Sequence, residues 1–197
     1  MPRIEPIPLE ELSDDVRRII EEGVADGTYA TPVPLQIFAY KTAQLLMTSA
    51  ARSVMGKQSL LGARIVELIR IRSAQLGECQ PCMASRKHES ITDEDVACLL
   101  SPGASVLTEQ ERLAVKFLDL LSADHHAIDD EVYRELGEVF SAAQIVELGV
   151  TCASTMGLHR FLHTLDVNGT APPAIAYSPD QVDTARPDPG RHAQASA

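Results

Sequence analysis

Apolar residues return every three or four positions along most of the chain, and the interruptions fall at glycine, proline or short hydroxyl-and-acid runs. That period lays one apolar stripe along a helix, whereas a half-buried strand needs strict alternation. From Leu9 to about Gly23 the run L-E-E-L-S-D-D-V-R-R-I-I-E-E-G is amphipathic and ends on glycine, which predicts a first helix. Thr31-Pro32-Val33-Pro34 breaks the chain. A long helix with sparse polar positions is predicted from about Leu35 to Met55, closing at Gly56, and its composition suggests burial between neighbours.

Leu60 to Leu76 is the next predicted helix. Ile65, Leu68, Ile69 and Leu76 form its stripe, Arg64, Arg70 and Arg72 are set among them, and Gly77 is the natural C-terminal cap. Three capping boxes then announce helix starts: Thr92 to Asp95, Thr108 with Glu111, and Ser141 with Gln144. The second opens a stripe of Leu113, Phe117, Leu120 and Leu121, and the third one of Ile145, Leu148, Cys152 and Met156. Asp129 to Phe140 is a helix of its own, and Ser101-Pro102-Gly103 reads as a turn. No segment alternates convincingly, so the expected fold class is all-α. From Ala171 the chain is rich in Pro, Ala, Asp and Arg without periodicity. We therefore expect one helical domain over residues 1–170 and an irregular tail over 171–197, either disordered or wrapping a neighbouring subunit.

Composition agrees with packed helices: 45% of the 197 residues are apolar, only 4% are aromatic and Trp is absent. A formal charge of −11 argues against nucleic acid as a partner, because phosphate contacts need clustered Lys and Arg. No apolar run reaches the length that spans a membrane, and the N-terminal M-P-R-I-E-P-I-P-L-E-E-L lacks an apolar signal core. The expected location is the cytoplasm. Four cysteines are too few for a disulfide scaffold in a chain this long, so a C-x-x-C pair in a reducing compartment points to redox or metal chemistry.

That pair is Cys79 and Cys82. If Cys82 lies in the first turn of a helix, unpaired N–H groups and the helix dipole favour its thiolate, and Cys79 is one turn away. The turn at Gly77 folds two helices back on each other, so Glu67, ten residues before it, should meet the Arg86–His88 region about ten residues after it. Carboxylate, cation and thiol would form one connected group. The same residues allow a half zinc site with His88 and Cys98, or a purely structural disulfide. His159 and His163, spaced i, i+4, read as partly buried and hydrogen-bonded, with the thiol pocket as a secondary location. His125 and His126 read as solvated loop residues, and Cys98 and Cys152 as small hydrophobes.

Glu67, eleven residues, then Cys79-x-x-Cys82 resembles the signature of the alkylhydroperoxidase-D-like proteins, which share a fold with the carboxymuconolactone decarboxylases. R-I-V-E-L-I-R-I-R-S-A-Q-L-G-E-C, I-T-D-E-D-V-A, L-T-E-Q-E-R-L-A-V-K-F and F-S-A-A-Q-I-V-E-L resemble that family's successive helices, over roughly residues 35–167. The resemblance implies an alkylhydroperoxidase-D-like helical bundle assembled as a homo-oligomer, a trimer or hexamer. It implies Cys79 and Cys82 as a redox pair reducing hydroperoxides, Glu67 as a relay carboxylate, a dithiol reductant as partner, and neither cofactor nor metal. Family members carry histidine four residues after the second cysteine, where this chain has Arg86. Pro81 stands where the well-known peroxidase has another histidine. Arginine holds a thiolate by charge but does not titrate near neutrality, so it cannot shuttle a proton. His88 stands two residues further on.

The leading expectation is a thiol-dependent oxidoreductase with catalytic residues Cys79, Cys82, Glu67, Arg86 and His88, acting on hydroperoxides or exchanging disulfides. A cofactor-free lyase or isomerase is the alternative, with Arg86 gripping a substrate carboxylate and the cysteines as bystanders. A redox-sensing assembly protein is the third.

Overall fold

The structure is a computed structural model, and it describes residues 1–79, 82, 83, 85, 87–99 and 106–167. The expected turn at 101–103, the tail from 171 and Arg86 lie outside these residues. Among the described residues the chain is all-helical, with no strand. In chain order the helices are α1 (Asp14–Ala25), α2 (Val33–Phe38), α3 (Thr42–Lys57), α4 (Ala63–Leu76), α5 (Asp93–Cys98), α6 (Glu109–Ala123), α7 (Asp130–Val139) and α8 (Ala142–Thr164), with 3-10 turns at Leu9–Glu11, Ala39–Lys41 and His125–Ala127.

The predicted helices were found with four revisions. The Leu9–Gly23 run is a 3-10 turn followed by α1, with Ser13 in extended conformation at the N-cap position between them. Gly23 lies inside α1 and does not end it: a Cβ at that position would collide with the Tyr29 ring packed against it. The single helix expected over 35–55 is broken in two, since Lys41 adopts φ −131° and ψ 85° between the 3-10 turn and α3. Nor is α3 buried between neighbours within this chain. Leu45 and Thr48 are covered, but Leu46, Met47 and Val54 stay 47%, 59% and 53% exposed.

All three capping boxes form, with Thr92, Thr108 and Ser141 each accepting from the backbone N–H three residues on. Arg64 ties two of them together. Its Nε donates to Glu111 at 2.7 Å and its Nη2 to Asp95 at 2.5 Å, and these acids are the reciprocal members of the α6 and α5 boxes. The Arg64 hydrogen bonds, with help from Thr92, hold the Asp95 carboxyl down at about 2 despite its burial.

Helix α4 is the axis of the molecule. It runs against α8 and α6, and from Glu67 to Leu76 every residue is buried. Ile65, Ile69 and Leu76 enter a core with Leu113, Phe117, Leu136 and Leu148, while Leu68 and Ile71 face a second cluster with Ile91 and Leu99. Each such side chain contributes roughly 1.5–3 kcal/mol on burial. Arg72, 1% exposed, donates from Nε and Nη2 to Asp119 at 2.7 and 3.0 Å, joining α4 to α6 through a buried pair. No single described helix is long and apolar enough to cross a membrane.

Candidate functional site

At the end of α4 the chain turns sharply. Gly77 is required there by a close approach: a Cβ would sit 2.9 Å from the His159 Cβ and 3.2 Å from the Arg160 nitrogen on α8. The left-handed residue is the next one, Glu78, at φ 52°. Gly77 N–H donates back to Ser73 O and Cys79 N–H to Ala74 O, which delivers Cys79 beneath the C-terminus of α4.

Cys79 and Cys82 are joined by a disulfide, with their Cα atoms 5.3 Å apart. The two sulfurs differ in setting. Cys79 is fully buried in an apolar cluster with Ile37, Ala74, Leu162 and Leu165, whereas Cys82 is only partly covered. Cys82 and Met83 are helical, and Met83 N–H donates to Cys79 O at 2.9 Å.

Glu67 is 3% exposed, and its nearest cation among the described residues is one that sequence reasoning left in the stripe. Arg70, one turn along α4, forms a fork with it: Nε to Oε2 and Nη2 to Oε1, both at 2.7 Å. The remaining guanidinium capacity goes to the disulfide segment, Nη1 to Cys82 O at 2.6 Å and Nη2 to Ser85 O at 2.7 Å. Lys87 N–H closes the arrangement by donating to Glu67 Oε1 at 2.7 Å. The clamp thus holds the backbone at Cys82, Ser85 and Lys87. Arg70 was visible in the sequence as a basic residue three positions after Glu67, a spacing that meets on a helix face.

The other expected residues are distributed as follows. His88 is bonded through Nδ1 to Ser90 Oγ at 2.6 Å, and that local turn is its partner. Arg86 lies outside the described residues, so its expected meeting with Glu67 does too. His159 is buried, with Nδ1 2.9 Å from Ser73 Oγ on α4. Loss of hydration, reinforced by the charges of Arg70 and Arg52, pushes its pKa down to about 3, so the ring is neutral at physiological pH. His163 is half exposed, 3.9 Å from Glu78, and His125 and His126 are exposed as expected. Cys152 is buried, and burial raises its thiol far above the usual range. Among the described residues no group of three or more His, Cys, Asp or Glu could hold a metal ion.

A buried cysteine bonded to a partly buried one, on a segment held by a carboxylate–guanidinium fork, has the chemistry of thiol–disulfide exchange. No protein-family model, curated protein or solved structure matches the chain.

Proposed function

We propose that the protein is a thiol-dependent oxidoreductase of alkylhydroperoxidase-D-like fold, working as a homo-oligomer in the cytoplasm and cycling Cys79 and Cys82 between dithiol and disulfide. The reading rests above all on the disulfide itself, with Cys79 sealed in the core and Cys82 only partly buried. In the reduced form the Cys82 thiolate attacks the distal oxygen of a hydroperoxide. The O–O bond breaks, the alcohol leaves with a proton, and Cys82 becomes a sulfenic acid. The Cys79 thiol then displaces water from that sulfur and forms the disulfide, so one hydroperoxide is reduced by two electrons from the pair. An external dithiol returns those electrons by exchange at Cys82.

Glu67 and Arg70 act here as positioning residues that hold the Cys82 carbonyl and the Lys87 N–H, while Arg86 contributes positive charge to the thiolate. Peroxide consumption by the reduced protein, compared between wild type and Cys82→Ser, tests the reading. Loss of turnover in the variant is expected. Equal rates would remove the proposal.

A further inference from the structure

In a chain of net charge −11, Arg52, Arg70 and Lys87 come close enough to act on one another electrostatically, and Arg70 reaches the disulfide segment. Arg70 is tied to Cys82 O, as described. Arg52 comes from α3, its guanidinium 4.9 Å above the Tyr29 ring and its Nη1 3.5 Å from Thr28 O. Lys87 comes from the disulfide side, with its Nζ donating to Gly27 O. Gly27 and Thr28 are consecutive, so two positive side chains from distant parts of the chain converge on neighbouring carbonyls of one loop.

Among the described residues the carboxylates acting on Lys87 are Glu67 and Asp26. Glu67 is engaged by Arg70 and by the Lys87 backbone. Asp26 lies on the same loop, accepts Thr28 N–H through Oδ1 at 2.8 Å and attracts Lys87. Arg52 makes no ion pair among the described residues; its contacts are a ring face and one long hydrogen bond. Burial lowers the pKa of both Arg52 and Lys87, and each is lowered further by the charge of Arg70. Tyr29 offsets part of this for Arg52, and a partly desolvated guanidinium with Arg70 as its charged neighbour is better satisfied once an anion arrives.

We propose that Arg52 and Lys87 form a carboxylate-binding site beside Cys82, so that the compound acted on at the disulfide carries a carboxylate. The guanidinium offers a planar two-donor fork to that group, and the ammonium adds a point charge. The proposal rests on the thiol chemistry above for its substrate, but the binding site is testable without it.

The test uses the reduced protein with Cys98→Ser, Cys152 being enclosed. Two aromatic disulfides serve as probes: 5,5′-dithiobis(2-nitrobenzoate), with two carboxylates, and neutral 2,2′-dithiodipyridine. Attack by a protein thiolate releases one aryl thiolate and leaves a mixed disulfide, and the second cysteine releases the other and closes Cys79–Cys82. The anionic probe is expected to gain about tenfold over the neutral one, through a charge-dependent on-rate that high salt abolishes. The ratio of anionic to neutral rate, which cancels any shared change in thiolate reactivity, should fall severalfold in Arg52→Gln and in Lys87→Gln, and Arg52→Lys should restore part of it. A preference unchanged by salt and by both variants would overturn the site. In a second arm, linoleic acid hydroperoxide is compared with its methyl ester. Faster turnover of the acid supports a carboxylate substrate, and equal turnover overturns it. Consumption of neither, with the thiol preference intact, removes the peroxidase reading and leaves the anion site standing.

Discussion

Two arginine–carboxylate pairs stand two residues apart on α4 and do different work. Arg72 reaches across to Asp119 on α6, and both ends are sealed from water. Arg70 pairs within its own helix, three residues from Glu67, and gives its other hydrogen bonds to carbonyls of the Cys82–Ser85 segment. The first pair connects two core helices that hydrophobic packing already joins. The second connects the core to the carbonyls of Cys82 and Ser85, beside the disulfide. Chemistry as similar as two bidentate forks therefore yields a fastener in one case and a positioning device in the other, according to what lies at the far end.

Breaking the fastener should have the larger effect on stability. Arg72→Met leaves Asp119 buried beside an apolar chain, and a loss of about 3–5 kcal/mol is expected in urea unfolding. Replacing both partners, Arg72→Met with Asp119→Leu, should recover most of it, because the penalty lies in the stranded charge. Arg70→Met should cost less stability, about 1–3 kcal/mol, since Glu67, though buried, keeps the Lys87 N–H as a partner. Its signature belongs at the disulfide: the rate at which a small dithiol reduces Cys79–Cys82 should change severalfold, while Arg72→Met leaves that rate alone in the folded fraction. If the two variants move the reduction rate alike, the contrast between the pairs is wrong.

A third arginine, Arg64, supplies a pH test of the structural class. Asp95 has its folded pKa depressed to about 2 by Arg64, below the unfolded value of about 3.9. The unfolded chain therefore takes up the proton first as pH falls. The stabilisation from this contact is complete above about pH 4 and fades as pH drops through about 2. Unfolding measured for wild type and Asp95→Asn should show a gap that is constant near neutrality and narrows toward pH 2. The smallest effect is expected at Cys152: alkylation of the reduced, folded protein should label Cys82 and spare Cys152, which reacts only after unfolding.

Helix starts were the most legible part of the sequence, because a capping box is a local pattern whose two hydrogen bonds do not depend on the rest of the fold. Thr92, Thr108 and Ser141 all behave accordingly. The C-x-x-C spacing likewise placed two sulfurs within bonding reach. What was not legible depended on distant partners. Gly23 reads as a helix stop until the Tyr29 ring that covers it is known, and Gly77, the α4 C-cap as expected, carries no sign in the sequence that α8 presses on it. Arg70 and Arg72 look alike in a stripe, and only Asp119, 47 residues away, separates them. The exposure of Leu46, Met47 and Val54 on α3 was hidden for the same reason: apolar composition reports what a helix is able to bury, not what lies against it.

The absence of a side chain at residue 23 reaches further than α1. The Cδ2–Cε2 edge of the Tyr29 ring occupies the space that absence leaves, and the Arg52 guanidinium lies 4.9 Å from the centroid of the same ring. One added methyl at residue 23 would displace the ring, and with it the surface on which that cation rests. Gly23→Ala would therefore retune the electrostatic landscape around the sulfurs from a helix that touches neither of them.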